Sequence, residues 1–326
     1  MIQPNELKAG FRMEVANGVF STTTRVWEIL FASYNGNLQL VKELVSGCPE
    51  LIFAQYNYTP PIHFAVREGH VTLVNYLLEN GAHNPKYRTY PFLDTLQDIA
   101  RDRHHNEIVK ILKEYSNNPT RQKFGGDNGE IHYERNELQN EFEKAVDKND
   151  LHKTKQILKE HPEYALDETY FWGEGILMMP AKENHREMLE LLMSHGAKVP
   201  DILKWTQAYY FERFDGAAFM MEKGMNPNVL SWHHVTILHD MAQKGNIQKA
   251  ELLIKYGAHL NLIEEEYQST PLGMAVRWGH IEMVKYLLQK GADPNKSGAL
   301  WATPLEWAKK KGYVEIENIL RNSGAT

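Results

Sequence analysis

The stretch TPLGMAVRWGHIEMVKYLLQKGADPN, residues 270–295, decides the fold of this chain. It opens on Thr270 and Pro271, a pair suited to a helix start. The threonine hydroxyl can accept an otherwise orphaned backbone N–H, and proline at the first helical position has no N–H to lose. Apolar residues then recur at helical spacing for about two turns. Gly279 stops this first helix, because a left-handed cap carries little steric penalty at glycine. A second periodic run, IEMVKYLLQ, follows, and Gly291 ends it. One such pair of short helices cannot bury its apolar faces alone, so a chain holding one unit should hold several, stacked.

Thr303 begins TPLEWAKKKGY 33 residues on, Thr236 begins TILHDMAQKGN 34 residues back, and Pro60 begins PPIHFAVREGH in the same phase. Looser starts at Trp27, Thr95, Asn140, Gly175 and Leu203 bring the total to nine, spaced 33, 35, 45, 35, 28, 33, 34 and 33 residues apart. Two positions test the phase. Seventeen residues after each start stand Leu44, Leu77, Leu112, Ile157, Leu192, Met220, Leu253, Leu287 and Leu320, all large and apolar. Five residues after it stand Ala32, Ala65, Ala100, Ala145, Ala208, Ala275 and Ala308, with Pro180 and Met241 in the other two units. A small residue at one phase lets two helices approach; a large one at the other fills the core.

The units TPLGMAVRWGHIEMVKYLLQKGADPN and PPIHFAVREGHVTLVNYLLENGAHNP resemble ankyrin repeats, and the resemblance extends from about Val26 to Ala325. It implies an all-α fold: an ankyrin-type helix-turn-helix solenoid with short β-hairpin fingers projecting between units. The expected layout is an N-terminal extension at 1–22, three repeats over 23–115, a long finger or insertion loop at 116–136, and six repeats over 137–326. The insertion carries a hairpin signal at Asn128-Gly129. The family's histidine three residues after the start is present only as His63 and His239. Pro180 falls inside a first helix, which it should kink or shorten. The unit from Leu203 has Glu212 where a turn glycine belongs, so distortion is expected around 180–215.

Composition narrows the functional classes. The chain has 326 residues, 42% hydrophobic and 24% charged, with a net charge of -6. An acidic balance gives no electrostatic reason to expect nucleic acid as partner. Cys48 is the only cysteine, which rules out an intrachain disulfide and points to a reducing compartment. No apolar run approaches the ~20 residues that span a bilayer, so membrane insertion is not expected. The first residues lack the apolar core of a secretory signal, which makes the cytoplasm the expected location and leaves secretion as an effector open.

Catalytic and metal chemistry find little footing. His70 and His280 follow turn glycines at one phase of the repeat, a structural position. His104-His105 and His233-His234 are adjacent pairs outside any HExxH-type spacing, and no phosphate-cradling or nucleophile-elbow motif occurs. The expectation is no cofactor, no metal and no catalytic residue. The charge clusters EEEY (264–267) and Lys309-Lys310-Lys311 are expected to solvate exposed surface, or, as contacts, to favour a partner of complementary charge.

Aromatic residues carry the sharper expectation. The residues just before each start should form fingers, and these windows hold Tyr56, Tyr58, Tyr90, Phe92, Tyr170, Phe171, Trp172, Trp232, His233, Tyr267 and Trp301. Phe211 and Trp278, eight residues after their starts, join them on the concave face that the resemblance implies. Tyr56, Tyr58, Tyr90, Phe92, Trp172, Phe211, Trp232, His233, Tyr267, Trp278 and Trp301 are therefore the candidate contacts for a partner protein. Such rings bury much area while losing few rotors. The competing reading of each ring is a staple between neighbouring fingers. Two other functions compete with a protein-binding module: a small-molecule or enzyme pocket near 180–214, where Trp205, Tyr209, Tyr210 and Phe211 cluster, and a purely architectural spacer.

Overall fold

The repeat period becomes a series of short helix pairs. A computed structural model describes residues 1–82, 84, 86–89, 92–117, 131–204 and 209–326. The Asn128-Gly129 turn, Tyr90, Trp205 and Ala208 lie outside them. The chain divides into two compact units, Asn5–Glu134 and Arg135–Thr326, with Met1–Pro4 belonging to the second.

The first unit runs α1 (Asn5–Lys8), β1 (Arg12–Ala16), β2 (Val19–Thr22), α2 (Thr23–Tyr34), α3 (Leu38–Gly47), α4 (Pro61–Arg67), α5 (Val71–Glu79), α6 (Leu96–Asp102), α7 (Asn106–Ser116) and β3 (Ile131–His132). Helices α2, α4 and α6 pack side by side as an inner row, and α3, α5 and α7 back them. The strands form a small antiparallel sheet in the order β2-β1-β3, with Arg12 opposite Thr22 and His132.

The second unit runs α8 (Glu137–Asp147), α9 (Leu151–Glu160), α10 (Tyr170–Gly173), α11 (Met178–Glu183), α12 (Arg186–Ser194), β4 (Ile202–Leu203), α13 (Phe214–Glu222), β5 (Leu230–Ser231), α14 (Ile237–Gln243), α15 (Ile247–Lys255), α16 (Pro271–Arg277), α17 (Ile281–Gln289), α18 (Pro304–Lys311) and α19 (Val314–Asn322). Its inner row includes α14, α16 and α18, in successive contact. Strands β4 and β5 pair in parallel, Ile202 opposite Leu230.

The phase positions form the core. All nine residues at position seventeen are buried, as are Ala32, Ala65, Ala100, Ala145, Ala275 and Ala308 at position five. Threonine starts cap as their chemistry predicts: Thr95, Thr236, Thr270 and Thr303 each accept a backbone N–H three residues on.

Neighbouring repeats are tied through the turn. His280 Nε2 donates to Gln243 O at 2.6 Å, and His70 Nε2 donates to Tyr34 O at 2.8 Å. Each ring closes over the preceding repeat's turn glycine. A Cβ on Gly245 would lie 2.8 Å from His280 Nδ1, and one on Gly36 would lie 2.5 Å from His70 Nδ1. Both glycines also hold positive φ, 65° and 68°, so the turn and the ring above it make the same demand. His239 bonds on both nitrogens. Nδ1 accepts from Thr236 N at 3.1 Å, and Nε2 donates to Leu262 O at 3.0 Å. Burial holds its pKa down at about 4, so the ring stays neutral at pH 7.

Two departures expected from the sequence take definite form, and one expectation changes. Pro180 is the third residue of α11, where an N–H would have no intrahelical partner, and the helix is short as expected, six residues against seven in α4, α14 and α16. In the unit from Leu203, the described residues 209–213 form turn and bend; Lys249 Nζ of α15 donates to their Phe211 and Glu212 carbonyls. The EEEY cluster is largely interior. Glu264 is wholly buried and accepts from the backbone N–H groups of Glu266, Tyr267 and Ser269 at 2.6, 3.0 and 3.1 Å. Burial pushes its pKa up to about 7 against those bonds.

Candidate interaction surface

The fingers turn some of their side chains inward and some outward, and the division follows backbone geometry. Tyr56 and Thr59 close a two-residue hairpin through mutual backbone bonds of 3.3 and 3.0 Å, with Asn57 and Tyr58 at its tip. Both tip residues have positive φ, 51° and 59°. Tyr56 points in and is buried, its hydroxyl donating to Glu6 Oε1 at 2.6 Å. Tyr58 points out and is 62% exposed. Its left-handed backbone would suit asparagine or glycine better by about 1–2 kcal/mol.

The same device recurs at the other tips. Leu93 has φ 62° and is 69% exposed. Phe171 and Trp172 take φ/ψ of 49°/55° and 62°/25° in succession. Phe171 is buried and its N–H donates to Glu143 Oε1 at 2.7 Å, while Trp172 is 61% exposed. Glu143 is fixed by Arg135, 2.7 Å away, and Lys204 Nζ donates to the Trp172 carbonyl. Leu300, in the finger turn Leu300–Ala302, is 89% exposed. Thus two tips of the first unit and two of the second present a large apolar side chain to water, three of them from a strained backbone. Strain of this kind persists where surrounding structure over-determines it and concentrates at functional sites.

Burial removes six of the expected contacts from the surface. Tyr56, Phe92, Phe211, Trp232, His233 and Tyr267 are buried. Trp232 meets His233 at 4.1 Å with the rings tilted, and His233 Nδ1 meets Glu266 Oε1 at 2.6 Å. Apolar burial outweighs presentation here, since a finger pressed against the next repeat gains area on both sides. Tyr58, Trp172, Trp278 and Trp301 keep exposed or half-exposed rings. Of the rings proposed for a pocket near 180–214, Tyr210 and Phe211 are core residues; Tyr210 Oη donates to Glu174 O at 2.7 Å, and burial raises its pKa.

Trp278, Tyr267 and Trp301 belong to one assembly with Trp307. Tyr267 meets Trp278 edge-to-face at 5.5 Å and Trp307 at 6.2 Å, and Trp301 meets Trp307 at 5.9 Å. The Arg277 guanidinium lies 4.0 Å from the Tyr267 centroid and 4.3 Å from that of Trp278. Lys310 Nζ lies 5.2 Å from Trp301 and 4.8 Å from Trp307. These are stapling rings with outer edges that reach solvent. Arg67 repeats the pattern in the first unit, 5.5 Å from Tyr34 and 5.1 Å from Phe64. The signal for both arginines was in the sequence: Arg67 and Arg277 each stand seven residues after a start. Leu93 and Leu300 are the surface residues that a search for aromatics misses; large aliphatics just before a start were their signal.

Among the described residues, no three His, Cys, Asp or Glu side chains are grouped to hold a metal ion. No helix among them is long and apolar enough to cross a membrane.

Family comparison agrees with this architecture. A model of ankyrin repeats in three copies matches residues 207–298, and a single ankyrin-repeat model matches residues 58–90. The chain is similar to palmitoyltransferase ZDHHC13 of Mus musculus, 32% identical over 124 residues, covering 38% of this chain and 20% of that protein. It is similar also to palmitoyltransferase ZDHHC17 of Danio rerio, 35% over 95 residues, covering 29% and 15%. ARF GTPase-activating protein GIT2 of Mus musculus is 33% identical over 79 residues, covering 24% and 11%. The chain thus spans at most about a fifth of the length of these relatives. Repeat phase, paired helices, threonine caps, glycine–histidine turns and both family models agree: the chain carries ankyrin repeats, matched at residues 58–90 and 207–298.

Proposed function

We propose that this chain is a protein-interaction scaffold, without catalysis of its own, whose principal contacts are the finger tips Tyr58, Leu93, Trp172 and Leu300. Ankyrin repeats are protein–protein interaction modules, which supports the class. The observation that carries the choice of residues is the exposure of large apolar side chains on strained tips, where a polar residue would cost less. Packed repeats hold the tips before any partner arrives, so binding loses little ordering entropy. Trp278 and Trp301 add half-exposed ring edges on the inner side. The single cysteine favours a reducing compartment such as the cytoplasm. The enzymatic names of the relatives are not carried over, because the shared stretch is a minor part of those proteins.

The test compares the chain with Tyr58→Asn/Leu93→Asn and Trp172→Asn/Leu300→Asn variants by cross-linking in extracts of the source cells and mass spectrometry. A specific partner should be captured by the unaltered chain and lost, by about tenfold or more, from at least one variant of equal melting temperature. Equal capture by both variants would refute the assignment of the tips.

A further inference from the structure

We propose that the end of the second unit around Trp278, Trp301, Lys310 and Lys311 docks an acidic segment of a partner protein, with carboxylates and apolar side chains in alternation. The proposal rests on the scaffold reading above and adds the chemistry of the partner.

The inner helices α14, α16 and α18 lie in succession. Positions seven and eight of their repeats hold Gln243 and Lys244, Arg277 and Trp278, Lys310 and Lys311, with no acidic residue among the six. Lys244, Lys310 and Lys311 are exposed. Nearby carboxylates are already engaged: Asp240 is buried 2.8 Å from Lys244, Glu306 lies 2.6 Å from Lys309, and Glu264 and Glu266 are interior. Cations at helix C-termini also offset the helix dipole. That effect explains one lysine per helix but not the exposed Leu300 and the half-exposed tryptophans beside them. A positive corner on a chain of net charge -6 selects acidic segments by local attraction.

Geometry favours a peptide over a nucleic acid. Packed helices lie about 8–10 Å apart, and an extended peptide advances about 3.3 Å per residue. Arg277 of the middle helix α16 is buried, so the exposed cations lie on α14 and α18, two helix spacings apart. Carboxylates about five or six residues apart in an extended peptide therefore reach both, with apolar side chains between them against Trp278 of α16. Base stacking needs an open ring face. Here Arg277 and Lys310 already occupy one face of the Trp278 and Trp301 rings.

The test is fluorescence anisotropy with a fluorescein-labelled peptide of alternating glutamate and leucine. An all-glutamate peptide, a lysine–leucine peptide and a single-stranded oligonucleotide serve as comparators. The glutamate–leucine peptide should bind saturably and most tightly. Lys310→Glu/Lys311→Glu, both at exposed positions, should weaken it about tenfold in a chain that circular dichroism shows still folded; Lys311→Glu alone, which keeps the Lys310 ring contacts, should weaken it in the same direction. Trp278→Ala should weaken it several-fold. Undiminished binding to the charge-reversed chain, absence of saturation, or tighter binding of the oligonucleotide would each overturn the proposal. If Tyr58→Asn/Leu93→Asn loses a cellular partner and Lys310→Glu/Lys311→Glu keeps it, the scaffold reading stands and the acidic docking site falls. If capture survives both tip variants and the charge reversal, both fall.

Discussion

At the residue scale, Gly245 shows how one hydrogen atom serves two repeats. Its φ of 65° closes the turn, and its missing Cβ admits the His280 ring. Gly245→Ala should lose about 2 kcal/mol, from left-handed strain and from displacing the ring, measured by urea unfolding. Adding His280→Ala should recover only the clash. His239 supplies a pH signature. Its folded pKa of about 4 lies below the usual 6.5, so its contribution to stability is complete above pH 6.5 and is lost as pH falls toward 4. NMR should find the imidazole neutral at pH 5; a ring titrating near 6.5 would contradict its burial. Glu264 acts in the opposite sense. Its raised pKa of about 7 costs stability as pH climbs from the ordinary carboxylate value through 7. Aromatic character was legible residue by residue, but orientation was not. Tyr56 and Tyr58 are two residues apart on one hairpin, and only the turn decides which ring faces water.

Among elements, helix starts were the most legible, because a cap is a local interaction. Thr95 and Asp98 cap each other reciprocally at 3.1 and 3.0 Å. Thr95→Ala should therefore cost about 1 kcal/mol, read from the shift in thermal midpoint, and Thr95→Ser should restore most of it. The loosest starts were displaced. The helix expected from Asn140 begins at Glu137 with Asn136 as its cap, whose side chain accepts from Gln139 N at 2.8 Å. The apolar period outlives errors in the assigned start, since Phe142, Ala145 and Val146 remain on the buried face. Residues 209–213 defeated the period for a tertiary reason. Tyr210 and Phe211 are drawn into the core, and Lys249 satisfies carbonyls that a helix would have satisfied itself.

For the whole molecule, stability is a sum of repeats and their interfaces. Trp307 is fully buried, and its Nε1 donates to Ser269 Oγ of the preceding repeat at 2.8 Å. Trp307→Ala should cost about 3–5 kcal/mol. Hydrogen exchange should quicken in α16, α18 and α19 well before α8 and α9 of the same unit; uniform acceleration would refute nearest-neighbour coupling. The tips should behave oppositely. Trp172→Asn should leave stability unchanged or raise it by about 1 kcal/mol, a result that a stapling role for Trp172 would forbid.

The period of about 33 residues, the small and large phase positions and the capping threonines determined an ankyrin stack from sequence alone. Each reflects a requirement met within one repeat or between identical neighbours. Tertiary structure decided which finger side chains meet water. A finger's inward residues are chosen by the repeat against which it folds, and that partner surface is built from residues tens of positions away. Trp232 and Trp172 look alike in sequence; packing buries the first on His233, and a left-handed turn holds the second in solvent.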